Sequence, residues 1–313
     1  MIIQNLSIEM MGDAKKLLFE NYEEALRSLP ILPNDVCFPP LDPLFENGLG
    51  AAAFEDGKMI GFLSAYGPWG PVFCTKNTMG VYSPIHAHAA VRENRKRIYQ
   101  RLYQAAAEKW ARAGAASHTI TLFDSDEDAR EAFFEYGFGK RCVDLMRTTN
   151  GMDISSENIA FSELSKEESR QIRHLRKELN AHLSNSPAFM KSDENAIEGW
   201  LDHREADPPR VFAAWVKGEI AAYIEVQDDG ENFITAHPSI LNICGAYCRP
   251  EFRGQGVAHA LLKYVLDVLK GEGIPLIGVD CESINPTAIN FWKKYFAPYT
   301  QSLVRRIDEN AIE

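Results

Sequence analysis

The sequence predicts an α/β chain of two tandem domains, each a central, mostly antiparallel mixed sheet flanked by helices. Three observations carry this. Two hairpin-like stretches recur about 160 residues apart, two strand–helix endings recur at nearly the same interval, and a long amphipathic helix lies between hairpin and ending in each half. A chain of 313 residues is long for one domain and natural for two.

The hairpins are GAAAFEDGKMIGFLSAY (Gly50–Tyr66) and RVFAAWVKGEIAAYIEV (Arg210–Val226). Each reads as an apolar strand, a tight turn (Glu55–Lys58; Val216–Glu219) and a second apolar strand. The helices are KRIYQRLYQAAAEKWARAG and VAHALLKYVLDVLKGEG; in the second, Leu261, Leu262, Val265, Leu266 and Leu269 recur at helical spacing. Both are expected to stop at glycine, Gly114 and Gly271. Next come the apolar strands SHTITLF (Ser117–Phe123) and PLIGVDC (Pro275–Cys281), followed by DAREAFFEYGFG (Asp128–Gly139) and TAINFWKKYFAP (Thr287–Pro298). Each half opens with a strand and helices, Ile2–Arg27 and Ile159–Leu183. The polar stretch TTNGMDISSEN (Thr148–Asn158) is the expected join, giving domains 1–150 and 151–313.

Composition excludes some functions. Hydrophobic residues make up 45% of the chain, which argues against wholesale disorder. A net charge of -11 argues against duplex nucleic acid as partner. The six cysteines include no CxxC pair and no zinc spacing, so no metal is expected and they read as buried free thiols. The N-terminus lacks a basic region followed by an apolar core, and no run reaches membrane-spanning length. These features predict a cytoplasmic protein with no membrane partner, either monomer or homodimer.

The densest motif is Arg253-Gly254-Gln255-Gly256-Val257-Ala258, between a strand and the second long helix. Glycine permits backbone angles closed to other residues, and free N–H groups at a helix start favour an anion. A plain tight turn is the competing reading. The loop lacks the GK[ST] of a nucleotide P-loop and the third glycine of a dinucleotide fingerprint.

With its context, the loop resembles the GNAT superfamily of acyl-CoA-dependent N-acetyltransferases. Arg253, Gly256 and Ala258 fill that family's Arg/Gln-x-x-Gly-x-Gly/Ala pattern, AYCRPEF before it is similar to the family's fourth strand, and Asn285, Ala288, Phe291 and Lys294 fit the pattern after the fifth. The resemblance covers about Ile159–Asp308. It implies acetyl-CoA as cofactor and a small-molecule or peptide amine as acceptor, acetylated by direct attack in a ternary complex. Arg253, Gly254, Gln255, Gly256, Val257 and Ala258 would bind the pyrophosphate. The strand at Ala246, Tyr247 and Cys248 would pair with the pantetheine arm beside a local bulge, and Asn285 would sit near that arm. Asn285 reads equally well as a helix cap before Pro286.

The match departs at the acid. The family's tyrosine position holds Trp292, expected at the cofactor, and an indole N–H is no useful proton donor. Tyr295, three residues on, could substitute or be core, and a thiolate also leaves unaided, since a thiol has a pKa of about 8.5. Asp280 and Glu225 are the candidate bases, with Glu282, on the same strand face as Asp280, and His237, in a loop, as the alternatives. Cys248 shows no basic partner that would make it a nucleophile. In the first half Arg95 matches Arg253, but Lys96 and Arg97 stand where glycines belong, while Gly137-Phe138 keeps the family's ending with Phe133 at the tyrosine position. That copy is expected to keep the fold and lose the chemistry. His86 and His88 read as packing or pocket-lining residues, with metal binding the alternative. A non-catalytic CoA-binding or ligand-sensing protein, and a scaffold, are the competing functions.

Overall fold

The computed structural model describes residues 1–73, 75–153 and 158–312; Cys74 and part of the expected join fall outside them. The chain forms two compact units, Met1–Asp144 with the C-terminal residues from Pro298, and Leu145–Ala297. The sequence places the division at 150 and assigns the C-terminal segment to the second half. The segment instead lies in the first unit.

The first unit holds β1 (Ile2–Asn5), α1 (Met11–Ser28), α2 (Asp42–Glu46), β2 (Ala51–Glu55), β3 (Lys58–Leu63), β4 (Tyr66–Trp69), β5 (Gly80–Ser83), β6 (His88–Ala90), α3 (Arg95–Arg112), β7 (Ser117–Phe123) and α4 (Glu127–Glu135). The strand β8 (Gly139–Thr148) starts in it and ends in the second unit. Strands β1, β2, β3 and β6 form an antiparallel ladder in that order. β5 pairs parallel with β7 and antiparallel with β4. On its other side β7 pairs antiparallel with the chain's last strand, β14 (Ala297–Arg306), from Thr300 against Phe123 to Arg306 against Ser117.

The second unit holds β9 (Ala160–Leu164), α5 (Arg173–Ser184), α6 (Glu194–Ala206), β10 (Arg210–Val216), β11 (Glu219–Gln227), β12 (Ile240–Cys248), α7 (Val257–Gly271), β13 (Leu276–Glu282) and α8 (Pro286–Trp292). Its strand order is β13-β12-β11-β10-β9, antiparallel except for the β12–β13 pair.

The repeat has local causes. Asp56-Gly57 and Lys217-Gly218 both take left-handed φ, the geometry that lets a two-residue turn follow the twist of its hairpin. Helix α3 buries Ile98, Tyr99, Leu102, Tyr103, Ala106 and Trp110; α7 buries Val257, Ala260, Leu261, Val265, Leu266 and Leu269. Each stripe follows the i, i+3, i+4 rule for a helix lying on a sheet. Asp126 caps α4 by accepting from Ala129 N–H, and Asn285 caps α8 by accepting from Ala288 N–H. Gly114 turns the chain out of α3 at φ +91°, as expected. Helix α7 runs through Gly271, and Gly273 at φ +81° makes the turn instead. Among the described cysteines, Cys37 is exposed, Cys142, Cys244 and Cys248 are half-buried, and Cys281 is buried. No helix among the described residues is long and apolar enough to cross a membrane.

Candidate active site

Strand β12 carries a bulge. Glu225 opposes Gly245, and the next residue, Val226, opposes Ile243, so Cys244 is the extra residue. The bulge lies two residues before the stretch the sequence points to. Pairing of β12 with β13 runs from Ile240–Leu276 to Ile243–Val279 and stops there. Past that point the two parallel strands part, which leaves Ala246–Cys248 with an unused edge on that side. Proteins recognise extended ligands by such edges, through backbone hydrogen bonds.

A cavity of about 400 Å³ occupies this opening. Ala246, Tyr247, Cys248, Arg253, Gly254, Gly256, Val257, Ala258, Asn285 and Trp292 all line it. Gln255 does not; its Nε2 donates to the Glu251 carbonyl, 2.5 Å away. Leu179 and His182 on α5, Tyr223 on β11, His259 on α7 and Phe291 on α8 are among the other lining residues. Sequence reading singles out Phe291 through the family pattern but misses Leu179, His182, Tyr223 and His259, because only tertiary packing brings them to the cavity.

At the mouth, Gly254 and Gly256 take φ +73° and +81°. A Cβ at either would meet nothing within 4 Å, so backbone conformation, not crowding, demands glycine. No side chain caps α7, and its first helical hydrogen bond is Ala260 N–H to Gly256 O. The N–H groups of Val257, Ala258 and His259 precede that bond, where helix starts attract anions. Arg253 is pinned beside them, Nε donating to Cys248 O at 2.8 Å with its guanidinium 5.4 Å from the Tyr247 ring centroid.

The other sequence-picked residues have clear settings. Glu225 is buried, and its Oε1 accepts from Arg176 Nε (3.1 Å) and Nη2 (2.5 Å). Asp280 is half-buried on β13. Nearby, partial burial, then the Asp280 and Asp229 carboxylates, push the Glu231 carboxyl up to about 7, although the residue as a whole is exposed. Tyr295 lies just past α8, outside the cavity lining, edge-on to His259 and Phe291 at 5.5 Å. Burial pushes the Cys248 thiol up to about 11, which keeps it protonated and a poor nucleophile.

The first unit is built differently at the matching place. The residue capping α3 is Asn94, at φ 55°, where α7 has Gly256. The register is therefore four residues from the one the sequence suggests, and Arg95 is the first helical residue, the counterpart of Val257 rather than of Arg253. Asparagine tolerates left-handed φ, so the turn survives without glycine. Arg95 is buried, paired with Glu24 at 2.8 Å and Asp126 at 3.2 Å, and Lys96 pairs with Glu131 and Glu135. Acidic side chains thus occupy the start of α3. His86 and His88 also have protein partners. His86 Nε2 meets Tyr66 Oη (3.2 Å); His88 meets Tyr99 Oη (3.0 Å) and the Thr121 carbonyl (2.7 Å).

Among solved structures, the chain is similar in fold to a GCN5-related N-acetyltransferase from Sphaerobacter thermophilus, at 14% identity and TM-score 0.56, covering 97% of this chain and 95% of that one. A GNAT-family acetyltransferase from Colwellia psychrerythraea gives 13% identity and TM-score 0.50, with 98% and 100% covered. A glucosamine N-acetyltransferase region of a fungal multi-domain β-N-acetylglucosaminidase gives 14% and 0.53, covering 97% of this chain and 38% of that one. No curated protein matches the sequence. The profile of the acetyltransferase (GNAT) family matches residues 172–297. The glycine loop, the bulged strand and the parted strands all lie inside that span, so the second unit carries a GNAT-family domain.

Proposed function

We propose that the second unit transfers an acetyl group from acetyl-CoA to the nitrogen of a primary amine, by direct attack within a ternary complex, and that the first unit binds no CoA. The observation that carries this reading is the cavity at the parted strands, with a helix start lacking a side-chain cap at its mouth. The residues present fit the cofactor. The N–H groups around Gly254–Ala258 and the Arg253 guanidinium suit a pyrophosphate, and the free edge at Ala246–Cys248 suits an amide-bearing arm. Bound acetyl-CoA supplies the activated acyl carbon and a thiolate leaving group.

The chain's own residues then have two tasks. One is to take a proton from the acceptor ammonium. Glu231 beside Asp280 is suited to this, because a carboxyl near 7 is matched to proton transfer at neutral pH. The other is to hold the bulge. Glu225 fits that task, since Arg176 clamps it and a Cβ on Gly245 would collide with its Oε2. Trp292 lines the cavity without a titratable proton, so the thiolate departs unassisted in this reading. The same tryptophan favours a second reading, a CoA-binding protein without turnover.

Calorimetry with acetyl-CoA tests the assignment. The wild-type chain should bind one equivalent. Gly256→Glu sets a carboxylate against the phosphates and forces a left-handed Glu, so affinity should fall by roughly 100-fold or more in a protein that stays folded. Unchanged affinity, or two equal sites, would refute it. An amine panel then separates the readings, because saturable binding without acetylated product would favour the non-catalytic protein.

A further inference from the structure

A second polar constellation lies behind the bulge, on the sheet face that carries α5 and α6. Arg176 and Tyr223 are fully buried, yet Arg176 Nη1 and the Tyr223 hydroxyl have no hydrogen-bond partner among the described residues. Arg204 reaches the same place from α6, its Nη1 3.4 Å from Cys244 Sγ, and remains partly open to solvent. Two guanidiniums face one carboxylate, Glu225. Burial pushes the Cys244 thiol up to about 11 and raises the Tyr223 phenol, so neither supplies a negative charge. One positive charge is left over, together with two idle donors. Buried donors without acceptors are costly, and the surplus positive charge on half-buried Arg204 beside them favours an anion as the missing acceptor.

Register places the acidic pair on the same face. Tyr223, Glu225 and Gln227 alternate onto one side of β11, Gln227 opposes Asn242, and a Cβ on Gly278 would press on Asn242 Oδ1. Asp280, two residues beyond Gly278, shares that side, with Glu231 in its electrostatic field. The face thus presents a cationic, donor-rich cluster and an acidic one.

We propose that the acceptor is an amino acid, its carboxylate held by Arg204, Arg176 Nη1 and the Tyr223 hydroxyl, and its ammonium drawn to Asp280 and Glu231. The carboxylate site stands on the geometry alone; only the reaction at the amine rests on the proposed transferase activity.

Titration of the CoA-saturated full-length chain with L-amino acids, their amides and the matching decarboxylated amines is the test. At least one acid should bind, with its amide and amine weaker by about 10- to 100-fold, the worth of hydrogen bonds to a charged group. Arg204→Gln should abolish that preference. Tyr223→Phe should weaken the acid alone while its unfolding temperature holds or rises, because the hydroxyl it removes has no partner. Equal binding of acids and amides, no binding of any acid, or a preference that survives Arg204→Gln would each overturn the proposal. Product formation is read separately. Acid binding without acetyl transfer would sink the transferase and leave the carboxylate site; transfer to amines with no acid preference would do the reverse.

Discussion

Trp292 and Tyr295 differ by three positions, and that distance separates a cavity-lining residue from one outside it. Trp292 is buried in the lining; Tyr295 has its backbone N–H on Trp292 O and its ring against His259 and Phe291. The aromatic setting predicts packing for the Tyr295 ring. Tyr295→Phe should therefore change the rate of acetyl transfer by less than ~3-fold, whereas loss of a general acid costs about 10²–10⁴-fold. A large fall in rate at unchanged acetyl-CoA affinity and unchanged fold would make Tyr295 catalytic. At this scale the sequence shows clearly what backbone chemistry dictates. Gly254 and Gly256 are visible because φ near +80° leaves little choice of residue. Glu231 is invisible, because an acid in a polar loop looks like any other until folding brings Asp280 beside it. The unpartnered donors of Arg176 and Tyr223 are hidden for the same reason.

Helices, hairpins and their order are legible in the sequence, since period and turn chemistry are local. Pairing across the sheet is not. The position of the bulge depends on which residue of β11 faces which of β12, and Cys244 carries no local sign of it. In the first unit β5 pairs parallel with β7 as the start of β12 does with β13, and β4 pairs with β5 as the end of β11 does with β12. Each continuous strand of the second unit is, however, broken in two in the first, and the breaks escape a reading built on repeats. Next to them, strand-borne histidines make a pH prediction. His86, beside β6, His88 on β6 and His118 on β7 are buried, and burial lowers each imidazole to about 4. An unfolded imidazole titrates near 6.5, so the unfolded chain binds these protons first as pH falls. Stability should be level above about pH 7. It should then drop between roughly 6.5 and 4 by up to ~1.4 kcal/mol per pH unit for each histidine. Glu231, raised rather than lowered, pulls the other way but is one largely exposed group. Denaturant unfolding of the full chain at pH 8, 6 and 5 measures the slope. A stability that does not fall between pH 7 and 5 would contradict the assignment, and His88→Asn should make the slope shallower.

For the whole molecule, the repeat in the sequence is real but its halves are not the compact units. The last strand follows Ala297 into the first unit, where β14 lies along the full length of β7 from Thr300 to Arg306 and buries Leu303 in the α3 core. Thr300 Oγ1 donates to Asp144 Oδ2 at 2.5 Å, and Thr121 Oγ1 meets Ser302 Oγ at 2.8 Å, so side chains as well as backbone tie it there. Meanwhile Leu145–Thr148 of β8 belongs to the second unit, and Thr149 bonds the carbonyls of Ile274 and Pro275. Nothing local in the chain marks this, because a strand's partner is chosen by register and burial over long sequence separation. The consequence is testable. Cutting at the join would leave 1–150 without the strand that covers β7, and 151–313 with a strand whose partner is missing. An exposed strand edge and an emptied core position favour aggregation over a cooperative fold. Expressed separately, the two pieces should be insoluble or lack a cooperative unfolding transition, while the intact chain, or the two pieces produced together, should fold. A piece 1–150 that alone unfolds cooperatively at the temperature of the intact chain would show that β14 is dispensable to the first unit.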